Sequence, residues 1–309
     1  MNTVILSIIT VILGVEFIIG NIGNGFIIMV NFIDWVKRRK VSSVDQLLTA
    51  LAISRICLLW IVLLSKLISV LCPFVFWTEE VLKMINVTWT AINHFSVWLA
   101  TCLSIFYFLK IANFSNSTFL YLKWRAEKVV LVTLLVSVVI LFINITLIIK
   151  EIDVWVAGYK INKTCSSSSK DSLYFSRDFL LNYLIFTIIP FTVSLITFLL
   201  LIFSLYRHLR NMHLSATGSG DASTKAHFQG LQTVVAFLLL YVVLFLSLFM
   251  QVLISELWRK NAIIMLCHVF AMTFPSSHSC ILILRNKKLR QAYLSLGWWL
   301  RCRFKDAES

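Results

Sequence analysis

Seven stretches of this sequence are each long and apolar enough to cross a lipid bilayer as a helix, and that feature limits the fold more than any other. A helix rises 1.5 Å per residue, so about 20 predominantly apolar residues span a ~30 Å hydrocarbon core with every backbone polar group bonded inside the segment. The stretches are 4–30, 47–71, 84–109, 129–149, 179–206, 231–255 and 261–284, and the last five contain no Lys, Arg, Asp or Glu. Only 14% of the 309 residues are charged and 59% are hydrophobic. A soluble domain carries nearer a quarter charged residues, so disorder and most soluble enzymes are excluded. The expected fold class is an all-α membrane protein, a single domain over 1–309 with seven transmembrane helices.

The distribution of basic residues orients these spans. With the N-terminus outside, the inside connections hold 18 of the 28 Lys and Arg, the outside ones 8 and the spans 2. After subtraction of acids the inside carries +12 and the outside +1, as the positive-inside rule requires. The C-terminus then lies in the cytosol. The net charge of +14 is punctuation between apolar runs rather than a basic surface, so nucleic-acid binding is not expected. No basic region precedes Val4, and the first apolar run is too long for the core of a cleaved signal peptide.

Two connections are long, 150–178 outside and 207–230 inside. Five Asn-x-Ser/Thr sequons occur, at Asn86, Asn113, Asn116, Asn144 and Asn162; only Asn162 combines an outside position with distance from the bilayer, so it is the expected glycosylation site. Past the seventh span, in the tail 285–309, Leu289, Tyr293, Leu296 and Leu300 recur at helical spacing among basic residues, which predicts a short amphipathic helix at the membrane surface.

Charged residues within spans are rare and mark function or architecture. Arg55 lies ten residues into the second span from Asp45, and Asn24 lies ten residues back from Asp34 in the first, so both sit ~15 Å deep. The same count from Asn286 reaches Ser276-Ser277-His278-Ser279. A polar knot of Asn24, Arg55, Ser276 and Ser279 joining spans one, two and seven is expected, either as static glue or as a switch that rearranges. On the third span Trp89 and Asn93 are one turn apart with His94 beside them, and two readings stand. One is ordinary interhelical packing. The other is the wall of a pocket for uncharged, mostly apolar molecules, which Phe245, Phe249 and His268 would close. No nucleophile elbow, zinc-protease motif or P-loop is present, and His208 and His213 lack the spacing of a helical ligand pair, so neither catalysis nor a metal or other cofactor is expected. A transporter or channel remains the second reading of the polar mid-membrane groups, although no internal repeat supports it.

The chain resembles the type 2 taste receptors, the bitter receptors among G-protein-coupled receptors. The resemblance rests on Glu16-Phe17-Ile18-Ile19-Gly20-Asn21 with Asn24-Gly25, Leu51-Ala52-Ile53-Ser54-Arg55, Asn93-His94-Phe95 and Trp98-Leu99-Ala100-Thr101. It continues through Phe106-Tyr107-Phe108-Leu109-Lys110-Ile111-Ala112-Asn113, Ser223-Thr224-Lys225-Ala226-His227, His278-Ser279 and Lys288-Leu289-Arg290-Gln291. The resemblance is closest to the broadly tuned branch. It implies small bitter agonists, a heterotrimeric G protein of the gustducin/Gi type acting through phospholipase C and calcium, and a multi-pass position in the plasma membrane. It also implies ligand contacts at Trp89 and Asn93, an interhelical network at Asn24 and Arg55, a G-protein-facing region at Tyr107, Lys110, His208 and His227, and glycosylation at Asn162. Departures include Asp221-Ala222 for the usual Asp-Pro, Cys280 for Phe and Arg285 for Gly. Cys72 and Cys165 both lie outside, and their pairing is left open.

Overall fold

The computed structural model describes residues 3–37, 42–162, 168–215, 221–257 and 261–308, and among them every regular element is a helix. In chain order these are α1 (Thr3–Val36), α2 (Ser43–Leu71), α3 (Pro73–Phe76), α4 (Glu79–Ile111), α5 (Ser117–Trp124), α6 (Ala126–Asn162), α7 (Ser168–Ser215), α8 (Asp221–Leu257), α9 (Asn261–Arg285) and α10 (Lys287–Glu308). Six of them, α1, α2, α4, α6, α7 and α8, contain segments long and apolar enough to span a membrane among the described residues. The seventh predicted span falls in α9, which packs between α1 and α8.

The helices follow one another around a ring, α1–α2–α4–α7–α8–α9 and back to α1, with α6 applied to the outside of α4 and α7. α4 is the most deeply buried of these spans. In its most apolar window 72% of residues are buried, against 22% for α1 and for α6. Its inward face therefore carries the polar groups that could not face lipid, including Thr90, Asn93, His94, Thr101 and Ser104. Lipid-facing α6 instead presents Leu131, Val132, Leu135, Val139 and Phe142 outward.

The two connections expected to be long loops are largely helical. α6 continues to Asn162 and α7 begins at Ser168; at the other end α7 continues to Ser215 and α8 begins at Asp221. Hydropathy marks only the part of a helix inside hydrocarbon, whereas extending a formed helix adds one hydrogen bond for each residue fixed. The extension of α6 also has a partner. Ile148, Ile152 and Val156 recur every four residues and bury one face against Leu82 of α4. The span boundaries read from hydropathy are thus inner segments of longer helices. α10 is likewise longer than the short helix expected, at 22 residues.

Prolines inside α7 and α9, Pro190 and Pro275, each remove a backbone donor. Hydroxyls lie close to the carbonyls of these prolines: Thr101 Oγ1 is 3.3 Å from Pro190 O and Ser279 Oγ is 3.0 Å from Pro275 O.

The end of the bundle carrying α5 and α10 is fastened by one ammonium group. Lys288 Nζ lies 2.8 Å from Asp34 Oδ2, 3.2 Å from Asp45 Oδ2 and 2.8 Å from Asn31 Oδ1, one acceptor for each of its three protons. Asn31 Nδ2 in turn donates to Thr49 Oγ1 and Asp45 O of α2. The Asn286 side chain caps α10 by accepting from the backbone N–H of Lys288 and Leu289, and Leu289 is buried against the bundle.

α1, α2 and α9 come close together at Gly20. A Cβ there would stand 2.7 Å from Leu59 Cδ1 and 2.8 Å from Ser276 Oγ, while one at Gly14 would meet nothing within 4 Å. Gly20→Val is therefore expected to destabilise the purified protein by about 1–3 kcal/mol, read as a lowered melting temperature, because a filled contact must shift. Gly14→Val should leave the melting temperature essentially unchanged.

Candidate functional site

Two polar assemblies lie within the bundle. The first surrounds Arg55, which has 0% exposure in the middle of α2. A guanidinium has donors and no acceptor, so its Nη1, 2.9 Å from His278 Nδ1, donates to that nitrogen, and the imidazole keeps its proton on Nε2. The same Nη1 reaches Ser279 Oγ at 3.5 Å, and Ser279 Oγ donates to Asn24 Oδ1 at 2.6 Å. Asn24 Nδ2 closes the chain on Gly20 O at 2.7 Å. The Arg55 cation also lies 5.2 Å from the Phe274 ring, and the other face of His278 is covered by Phe237 at 4.5 Å. Asn24, Arg55 and Ser279 are thus brought together, with His278 accepting the guanidinium's shortest hydrogen bond. Ser276 is not bonded to Arg55. It sits one turn away, donating to Glu16 O at 2.9 Å, because at helical spacing it and Ser279 are three residues apart and meet different turns of α1.

The second assembly is formed by α4, α6 and α7. The Trp89 ring packs 4.9 Å from Tyr183 and 5.5 Å from Phe179. One turn further along, Asn93 Nδ2 donates to Tyr183 Oη at 2.7 Å. His94 Nε2 lies 2.8 Å from the Ser137 carbonyl of α6; a carbonyl only accepts, so that nitrogen carries the proton. Below these contacts is a cavity of about 10 Å³ lined by residues that include Thr90, Asn93, His94, Trp98 and Tyr183. That volume admits one oxygen-sized atom.

The structure does not bring every expected wall residue to this place. Phe245 stacks on Phe191 of α7, with centroids 4.0 Å apart, and is absent from the cavity lining. Phe249 is 41% exposed. The inward stripe of α8 is Leu244, Leu248, Gln251 and Val252, at spacings of four, seven and eight, and Phe249 lies one residue off it. The side chain of His268 lies outside the described residues, as do those of His227 and Asn162.

At the α5 end of the bundle, His208 shares a cleft of about 240 Å³ with Asn113, Ser115, Ser204 and Arg207. Ser204 Oγ accepts from the Asn113 backbone N–H at 2.9 Å, which ties the end of α4 to α7. Tyr107 is half-buried nearby, and Lys110 is exposed, its ammonium 5.5 Å from the Phe106 ring. Cys72 is free, and Cys165 lies outside the described residues.

Several central residues carried no separate signal in the sequence. Tyr183 sits in an apolar run and is singled out only by the helix it faces. Thr101, Ser104, Ser194 and Thr197 link α4 to α7 through hydroxyl contacts of 2.9 and 3.0 Å, with Tyr241 of α8 3.5 Å from Thr101. Hydroxyls in transmembrane helices usually bond to their own backbone, so spacing alone did not separate these from the rest.

Tyr183→Phe would leave the Asn93 amide buried without its acceptor. It is expected to lower stability by about 1–3 kcal/mol, and adding Asn93→Leu should recover part of the loss, because two apolar partners leave nothing unsatisfied. Thermal melts of the purified single and double variants check this.

A family model described as "Taste receptor protein (TAS2R)" matches residues 1–301. The chain is 58% identical over 308 residues to taste receptor type 2 member 14 of Papio hamadryas, an alignment covering 100% of this chain and 97% of the relative. It is also 58% identical over 308 residues to taste receptor type 2 member 14 of Homo sapiens, covering 100% and 96%. To taste receptor type 2 member 140 of Rattus norvegicus it is 53% identical over 294 residues, covering 95% and 94%.

Proposed function

Since the chain belongs to the taste receptor protein (TAS2R) family, the bitter-sensing G-protein-coupled receptors of the membrane, we propose that it detects small, mostly hydrophobic bitter compounds at the seam between α4 and α7. The receptor takes the seven-span form of its class, with its N-terminus outside the plasma membrane and α10 in the cytosol. It signals through a gustducin/Gi-type G protein to phospholipase C and calcium. Asn162 carries the outside glycan.

The observation that carries the ligand reading is the cluster of Trp89, Tyr183 and Asn93, an aromatic wall with one amide directly above a polar cavity. Stacking surface supplies affinity for apolar molecules, and a few polar groups fix their orientation. The cavity of about 10 Å³ is far smaller than the ~300 Å³ of an ordinary ligand pocket, so an agonist enters by parting Trp89 from Phe179 and Tyr183. Such parting acts directly on the position of α7 relative to α4. Agonist binding then favours the arrangement in which the seam is open, which is the differential affinity that a population shift requires.

At the cytosolic end, α7 and α8 separate to admit the G protein. Tyr107, Lys110, His208 and His227 face it there, and their basic and polar character suits an acidic or helical partner. The Arg55 knot serves as the fixed side of this movement, holding α1, α2 and α9 together while α7 moves.

The test is calcium mobilisation in cells that co-express the chain and a gustducin-type chimeric G protein, screened with bitter compounds. Trp89→Ala, matched for surface expression, should raise the effective agonist concentration at least about tenfold, the scale of a removed aromatic anchor. Responses that persist without the G protein would contradict the signalling reading. Responses that Trp89→Ala leaves intact would contradict the placement of the pocket.

A further inference from the structure

Among the described residues, two polar atoms, on residues that line the small cavity between α4, α6 and α7, are buried with no hydrogen-bond partner. They are the Trp98 indole nitrogen and the Thr90 hydroxyl, on side chains 4% and 2% exposed. Neither is an ordinary case. Thr101, Thr133, Thr187 and Thr192 each turn the hydroxyl back on the carbonyl four residues earlier, but Thr90 does not. The indole N–H can only donate, and a buried donor left unpaired is costly.

The two residues bracket the cavity along one face of α4. They lie eight positions, about 12 Å, apart along the axis, and the indole leans back toward the N-terminal end because helical side chains tilt that way. Asn93 and His94 stand between them and are already committed, Asn93 to Tyr183 Oη and His94 Nε2 to the Ser137 carbonyl. No Asp, Glu, Lys or Arg lines the cavity. A charged ligand group would find no counterion there, whereas a neutral oxygen would find a donor without displacing an existing bond. The free space of about 10 Å³ fits a single oxygen and excludes a ring.

We propose that this cavity is an acceptor subsite of the agonist pocket, in which the Trp98 indole N–H donates to a neutral carbonyl, lactone or ether oxygen of an otherwise apolar agonist and the Thr90 hydroxyl supplies a second contact. The proposal rests on the reading of Trp89 and Tyr183 as the mouth of that pocket. The apolar body of the agonist lies between α4 and α7 at Trp89, and its oxygen reaches inward past Asn93. Specificity then comes from the bond gained: an agonist with an oxygen satisfies a donor that is unpaired in the free receptor, and an analogue that lacks the oxygen gains nothing there.

The experiment uses matched pairs of bitter compounds that differ only in a carbonyl replaced by methylene, coumarin and 2H-chromene among them, in the G-protein calcium assay on full-length receptor. The variants are Thr90→Val and a receptor with 3-benzothienylalanine at position 98, which keeps the indole shape and loses the N–H; both are matched for surface expression. On the unmodified receptor the carbonyl member of a pair should act at about tenfold lower concentration, the scale of one hydrogen bond to a buried donor. That advantage should vanish with 3-benzothienylalanine and shrink with Thr90→Val, while the methylene members keep their potency on both variants. Equal potency within pairs on the unmodified receptor, or an advantage that survives 3-benzothienylalanine, would overturn the subsite. In that outcome the pocket at Trp89 still stands if Trp89→Ala weakens every member alike. A panel in which every response ignores Trp89→Ala would instead overturn both the pocket and its subsite.

Discussion

A guanidinium buried at 0% exposure between three helices is the constraint around which the rest of the bundle is arranged. Placing such a charge in an apolar interior is unfavourable unless it is hydrogen-bonded and surrounded by polarisable groups. Arg55 meets this in part: Nη1 bonds to His278 and Ser279 and the cation lies over the Phe274 ring, all on α9, while Nε and Nη2 are buried with no partner among the described residues, and Ser279 passes the connection to Asn24 on α1. α1, α2 and α9 are therefore held at one relative depth. Gly20 and Ser276 bring α1 and α9 into close contact one turn away, and Lys288 repeats the three-helix fastening at the bundle end with Asp34, Asp45 and Asn31.

The opposite side of the bundle is built differently. Between α4 and α7 the contacts are aromatic rings and single hydroxyl or amide bonds, with no ion pair among the described residues. Bonds between neutral groups are individually worth about 0.5–1.5 kcal/mol, each weaker than the charged hydrogen bond of the Arg55 knot. A receptor needs both properties. A rigid half gives the movement something to act against, and a half with weaker fastening lets a small apolar molecule bias the equilibrium.

Much of this was legible in the sequence, for a physical reason. Hydrocarbon imposes a sharp rule on length and charge, so the spans emerge from hydropathy, and depth within a span follows from the constant rise of a helix. Counting ten residues from Asp34, Asp45 and Asn286 was enough to bring Asn24, Arg55 and the His278-Ser279 pair to one level. What counting along one helix cannot supply is rotation against a neighbour. Depth alone puts Ser276 level with the knot, yet it faces Glu16; Phe249 lies off the inward stripe of α8; and nothing along α7 marks Tyr183, which pairs with both Trp89 and Asn93. Helix ends beyond the hydrocarbon were also hidden. Their apolar positions, such as Ile152 and Val156, are diluted by Lys150, Glu151 and Asp153 and no longer register as a membrane span.

Arg55 holds α1, α2 and α9 together through His278. A double-mutant cycle on the melting of the purified receptor, with Arg55→Gln, His278→Phe and the two combined, measures that coupling directly. A coupling energy of about 1.5–3 kcal/mol, the double variant losing far less than the sum of the singles, is the predicted result for a charged hydrogen bond in the bundle interior. Losses that add to within about 0.5 kcal/mol would mean that the two residues act independently, and would contradict the account.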